Sequence, residues 1–146
     1  MATTFTRLLS PIKIGPKVIK NRILVTAHVP GLEKNNLISD EYILYQHAKA
    51  KGGAGLQISG ATAIHSTGSV GAGRGLNGSN PKVIIGYKRL AKAIHQEGGR
   101  FLIQLGHSAA TVNDQEAGRP LIAPSSIQSQ LIRETPEIMT IAMIEE

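Results

Sequence analysis

Two stretches of the chain share one grammar: AKAKGGAGLQIS, Ala48 to Ser59, and IHQEGGRFLIQL, Ile94 to Leu105. Each is a polar or basic helix end, a Gly pair, and then a largely apolar run with one Gln inside it. A Gly pair stops a helix because Gly enters the left-handed backbone region at little cost. The runs that follow are consecutively apolar rather than alternating, as expected of strands covered on both faces in a parallel sheet. Helix passes to strand within two or three residues, whereas strand returns to helix only after a long stretch. That asymmetry, repeated, marks successive right-handed βαβ units. The chain is therefore an α/β protein.

The remaining elements fall into this frame. RILVTAH, Arg22 to His28, predicts a first strand over 22–27. Ser39 caps a helix over 40–51, with Asp40 and Glu41 in its first turn and Tyr42, Tyr45 and Ala48 at helical spacing. The second strand is expected over 55–60. Asn80-Pro81 starts a helix over 81–97, with Val83, Ile84, Tyr87, Leu90, Ala91 and Ile94 on one face. The third strand is expected over 100–105. Before the first, LLSPIKIGPKVIK alternates around Gly15-Pro16 and predicts a hairpin, placed to plug the N-terminal end of a barrel. Residues 109–136 read as a long, turn-rich loop. Thr140 caps a helix beginning at Ile141, and the chain stops two turns later, so a fragment of something longer is expected.

Composition excludes several classes. The formal net charge is +6, but the basic residues are scattered and aromatics make up only 3%. No basic stripe or base-stacking platform results, so nucleic acid is not an expected partner. With no Cys, a disulfide scaffold or thiolate metal site is excluded, and a reducing, cytoplasmic setting fits. No apolar run approaches the ~20 residues of a membrane span. GRGLNG, Gly73 to Gly78, matches a dinucleotide fingerprint, but the second strand ends too early for it, and a βα loop is expected there. The five histidines share no metal-ligand spacing, and His47 and His95 should face solvent on their helices.

Chemistry collects at the strand ends. In parallel α/β proteins ligands sit beyond the C-terminal ends of the strands. Ala27, His28, Ala61, Gln104 and His107 would share that rim. Gln104 is the pointed case, because a buried primary amide costs a few kcal/mol, of order 1–3, unless hydrogen-bonded. It either bridges backbone groups at a bulge or reads a ligand. The pyrimidine edge of a flavin, with carbonyls flanking ring nitrogens, suits an amide that offers donor and acceptor side by side. The small residues Ala27, Gly60 and Ala61 would let a flat ring lie against backbone, whose N–H groups tune it.

LLSPIKIG, KNRILVTAHVPG, YQHAKAKGGAGLQISGATAIH and KRLAKAIHQEGGRFLIQLGHSA, followed by PLIAPSSI, together resemble the old yellow enzyme family of NADH:flavin oxidoreductases. TAHVPG is closest to its multidomain branch of 2,4-dienoyl-CoA reductase, trimethylamine dehydrogenase and N-methylproline demethylase. The resemblance implies a (β/α)8 TIM barrel that binds FMN. Residues 1–146 would be the N-terminal part of that domain, about three βα units plus the leading hairpin. It implies that Ala27, His28 and Val29 pack against the flavin, that Ala61 lies beside it, and that Gln104 contacts the pyrimidine edge. His107 is a substrate-side candidate. The catalytic acid would lie beyond Glu146. NAD(P)H would donate electrons, and an activated alkene or an N-methyl amine would be the small-molecule substrate. A 4Fe–4S cluster and FAD belong to the same branch. Ala27 and His28 depart from the Pro and Met of many relatives, and SAATV after His107 departs from the single-domain branch. The alternatives are another flavin barrel, such as a dihydroorotate dehydrogenase-like one, and an inactive truncated product.

A barrel closes with about eight strands, and three leave two open edges. The 146-residue chain made alone is therefore expected to purify colourless or to aggregate, and to oxidise no NAD(P)H, as read by visible absorbance and a nicotinamide assay.

Overall fold

The computed structural model describes residues 5–65, 68, 75–107, 121–128, 130 and 133–145. A short helix, α1 (Thr6–Leu9), precedes an antiparallel hairpin of β1 (Ile12–Ile14) and β2 (Lys17–Ile19), turned at Gly15 with φ 54°. Then come β3 (Leu24–Val25), α2 (Asp40–Lys51), β4 (Leu56–Ala63), β5 (Leu76–Asn77), α3 (Val83–Gln96) and β6 (Arg100–Gly106). β7 (Ile122–Ala123), β8 (Glu137–Ile138) and α4 (Ile141–Glu145) follow.

β4 is central, and every pairing it makes is parallel. β6 runs along one of its edges, while β3 and β5 share the other, low and high respectively. The expected βαβα order is present. β3 is shorter than the predicted 22–27. Pairing starts where the Ile23 carbonyl accepts from Gly55 and Leu56 N–H, and it ends after Val25. β4, by contrast, runs past the predicted residue 60 to Ala63.

The two helices pack on one face of the sheet. Ser39 Oγ accepts from Tyr42 N at 3.0 Å, capping α2 as expected. The buried stripe of α2 is Tyr42, Gln46 and Ala50, not Tyr42, Tyr45 and Ala48; Tyr45 and Ala48 are exposed. The helix is rotated so that polar Gln46 enters the layer. In α3 the buried set is Val83, Gly86, Leu90 and Ile94, whereas Ile84 is exposed. Gly86 sets this rotation, because a Cβ there would stand 2.7 Å from Ile38 Cβ. Asn80 Oδ1 accepts from Lys82 N, and the Asn80 carbonyl accepts from Val83 N, so one tight turn precedes α3. Ile38, Tyr42, Ala50, Leu76, Val83, Leu90 and Ile94 form the core.

Two further expectations change. GRGLNG contains β5, which adds Leu76–Asn77 to the sheet beside Thr62 and Ala63; Gly73 and Arg74 lie outside the described residues. The stretch read as a loop over 109–136 includes β7, paired in parallel with β8, while 109–120 lie outside the described residues. Thr140 does cap the last helix, its Oγ1 accepting from Met143 N.

The exit from the hairpin latches both Gly-Gly turns. Lys20 Nζ donates to the Glu97 carbonyl at 2.6 Å, and Asn21 Nδ2 donates to the Gly53 carbonyl at 2.7 Å. Asn21 Oδ1 also accepts from Ile23 N at 3.1 Å. These bonds satisfy backbone groups just beyond the helix ends, where intrahelical partners run out. Asn21 is buried, so Asn21→Ala should lower the unfolding free energy by about 2 kcal/mol, read as a shifted urea midpoint with unchanged slope.

Candidate flavin site

The site begins with a slip in the pairing of β4 and β6. Leu56, Gln57 and Ile58 face Arg100, Phe101 and Leu102, but Ala61 faces Gln104, so β4 carries one extra residue at Ser59–Gly60. Such a bulge changes which side chains face which side. Gln57 Nε2 donates to the Gln46 carbonyl, and Thr62 Oγ1 bonds Tyr87 Oη. Both side chains therefore point into the helix layer, five positions apart, which strict alternation would forbid. The extra residue turns Ala61 to the opposite face, alongside Gln104.

Side-chain hydroxyls occupy the gap. Tyr42 Oη accepts from Gly60 N at 3.2 Å, and Ser59 Oγ accepts from Gln104 N at 3.3 Å while donating to the Gly60 carbonyl. Gly60 lies directly under the loop that follows β3. A Cβ on it would stand 2.5 Å from the His28 carbonyl oxygen and 3.2 Å from Val29 Cα. The backbone of 27–29, Ala61 and Gln104 thus meet around one bulge.

Gln104 is not buried: it is exposed, as are Leu102, Ile103 and Leu105. The apolar run predicted a covered strand. Among the described residues β6 instead pairs only with β4, and the helix layer meets it at Phe101, against Tyr87. The amide therefore has no burial to offset within the described residues. It stands on the face away from the helices, beside the half-buried Ala61.

The His28 imidazole is turned to α2. Nδ1 lies 3.1 Å from the Thr26 carbonyl, and Nε2 lies 2.9 Å from Tyr45 Oη and 3.0 Å from Lys49 Nζ. A carbonyl can only accept, so Nδ1 carries the proton and Nε2 receives from the ammonium, which also sits over the Tyr45 ring. His28 thus reaches the site through its backbone. Val29 is exposed and Ala27 half-buried.

His107 follows β6 and lines a cavity of about 460 Å³ with Ile64, His65, Pro124, Met139 and Met143. His47 is half-buried and bonds Glu97 Oε1 at 2.8 Å, a correction to its solvent-facing assignment, while His95 is exposed as expected. Among the described residues no three His, Cys, Asp or Glu gather to hold a metal ion. No described helix is long and apolar enough to cross a membrane.

Tyr42 and Ser59 were missed as site residues, and Gly60 was read only as a small rim residue. The sequence marks Tyr42 as buried by its period, but nothing local says where its hydroxyl ends. Burial pushes the Tyr42 and Tyr87 hydroxyls up from their ordinary value, and the Glu33 carboxylate adds to the effect at Tyr42. Glu33 is itself buried, and its oxygens meet no hydrogen-bond partner among the described residues.

A parallel βα succession with small and amide-bearing residues at the C-terminal rim is the arrangement of part of an α/β barrel, in which ligands sit at that rim. Residues 7–146 match the NADH:flavin oxidoreductase / NADH oxidase family, and the chain belongs to it. That match answers the alternative of a dihydroorotate dehydrogenase-like barrel. The chain is 34% identical over 139 residues to a metal reductase of Desulforamulus reducens, covering 95% of this chain and 20% of that protein. It is also 34% identical over 134 residues to the N,N-dimethylglycine/sarcosine dehydrogenase of Chromohalobacter salexigens, covering 90% of this chain and 19% of that one. A solved 2-naphthoyl-CoA reductase complex superposes with a TM-score of 0.86 at 28% identity, over 95% of this chain and 23% of its own. The chain spans about a fifth of the length of these curated relatives.

Tyr42 and Tyr87 hold their protons more tightly folded than unfolded. Their contribution to stability is therefore full below pH 10.0, their ordinary value, and is lost as pH rises through the raised folded values. In an alkaline absorbance titration, Tyr42→Phe and Tyr87→Phe should each remove a step that lies above pH 10.0.

Proposed function

We propose that residues 1–146 belong to the FMN-binding domain of an oxidoreductase, and that they supply one wall of the flavin site. The observation that carries this is the Ala61–Gln104 pair. It sets a small side chain beside an exposed primary amide, on the face away from the helices, next to the backbone of 27–29. A flat heteroaromatic ring needs such a surface. Its pyrimidine edge needs a donor and an acceptor held side by side. Family membership supports the same reading.

In this reading the Gln104 amide meets the pyrimidine edge, Ala61 leaves room for the ring plane, and Ala27, His28 and Val29 offer backbone to it. His107, on its separate cavity, is the substrate-side residue. Bound FMN would supply hydride transfer, with NAD(P)H as the donor in the reducing direction. No group among the described residues is assigned as catalytic acid. An N-methyl amine substrate is supported by the dimethylglycine/sarcosine dehydrogenase, and an alkene by the similar multifunctional alkene reductase/demethylase of Caballeronia cordobensis. The proposal extends to a 4Fe–4S cluster and FAD elsewhere in the whole protein, for which relatives about five times this length leave room, and iron and flavin analysis would count them. A cytoplasmic setting agrees with the Cys-free sequence.

The test is made on the whole protein that carries this segment. It should purify yellow, with FMN released on denaturation. Gln104→Leu should weaken FMN binding by about tenfold, the equivalent of about one charge-independent hydrogen bond lost. A colourless protein that takes up no FMN defeats the reading.

A further inference from the structure

The five candidate flavin residues come from three separate segments, and each segment is tied to the bulge at Ser59–Gly60. Ala61 follows it directly, turned to the flavin face by the extra residue. Gln104 is joined through its backbone N–H, which donates to Ser59 Oγ. Residues 27–29 are joined by contact, since Gly60 has no room for a side chain beneath His28 and Val29. The bulge in turn is held from the helix layer, where Tyr42 Oη accepts the Gly60 N–H that the interrupted ladder leaves over. Tyr42 and Ser59 are both fully buried, so neither hydroxyl can be replaced by bulk water.

We infer that Tyr42 and Ser59 are positioning residues for the flavin: their hydroxyls fix the bulge, and the bulge aligns Ala61, Gln104 and the 27–29 backbone into one binding surface. The inference rests on the flavin reading above and adds to it two residues that touch no ligand themselves. A bulge without these acceptors leaves the Gly60 N–H buried with no partner and takes from the Gln104 N–H the bond that ties β6 to the bulge. An unmet buried donor is costly enough to drive local rearrangement, and the rearrangement would move the amide at Gln104 before it unfolded the sheet. Tyr42 lies on α2 and Ser59 on β4, so the register of helix against strand is transmitted to the ring site.

The experiment uses the whole flavoprotein, with Ser59→Ala, Tyr42→Phe and Gln104→Leu made singly, and Ser59→Ala combined with Gln104→Leu. FMN dissociation constants, the flavin midpoint potential and the thermal midpoint of the FMN-free protein are measured for each. Ser59→Ala and Tyr42→Phe should each weaken FMN binding by about tenfold, as one lost hydrogen bond does. Both should shift the potential in the direction that Gln104→Leu shifts it. Combined with Gln104→Leu, Ser59→Ala should add less than twofold, because neighbours acting through one group are not additive. Wild-type FMN affinity and potential in Ser59→Ala would overturn the inference while leaving the flavin reading standing. So would a fall in thermal midpoint with potential unchanged, or full additivity in the double variant. Should Tyr42→Phe not fold, Ser59→Ala decides alone. An unsubstituted protein that binds no FMN removes the flavin reading, and this inference with it.

Discussion

Gly60 sits so close beneath the loop after β3 that its missing side chain decides the geometry of the rim. Any Cβ would come within 2.5 Å of the His28 carbonyl oxygen, a distance that backbone cannot relieve by a rotamer change. The loop can lie there only because β4 presents a glycine, and β4 can present its backbone at that angle only because it bulges. The bulge then forces the switch of faces that sends Thr62 to the helices and Ala61 away from them. One steric constraint thereby fixes the direction of several side chains on two strands and the path of a loop.

The opposite end of the sheet is held by different means. Lys20 and Asn21, leaving the hairpin, bond the carbonyls of Glu97 and Gly53 in the two helix-to-strand turns. Both helix ends are thus anchored to one two-residue segment, whose polar groups are consumed by structure. At the other rim Gln104 keeps an exposed amide and Ala61 a small, half-buried side chain. The division is the usual one for parallel α/β barrels, with stability at the N-terminal face and chemistry at the C-terminal face. It follows here from where the hydrogen bonds are spent.

The repeated Gly-Gly joints made the strand-helix order legible, because a glycine pair between a polar helix end and an apolar run has few other meanings. Caps were legible for the same reason: Ser39 and Thr140 act within three residues of themselves. The rotation of each helix was not. It depended on Gly86 making room for Ile38 and on Gln46 entering the layer, both contacts between distant segments. The candidate site was legible as a set of residues but not as a mechanism of assembly. Gln104 drew attention as an amide in an apolar run, yet its exposure follows from nothing among the described residues covering that face of β6, which periodicity cannot show. Tyr42 and Ser59 read as one core residue and one strand residue, since the bulge that gives them partners is a relation between strands and leaves no local mark.

The choice of hydroxyls for this clamp has a chemical consequence. The groups left over at the bulge are N–H donors, so the clamp needs acceptors, and carboxylates would serve. A carboxylate would also carry full charge into a poorly solvated layer, which is costly. A tyrosine hydroxyl accepts more weakly but does so while neutral. Burial and the Glu33 charge both push Tyr42 further from ionising. Tyr42 therefore holds the bulge as a neutral group below pH 10.0, its ordinary value. In the flavin reading proposed above, the bulge is thus held by uncharged hydroxyls, which leaves the electronics of the ring to the groups that touch it.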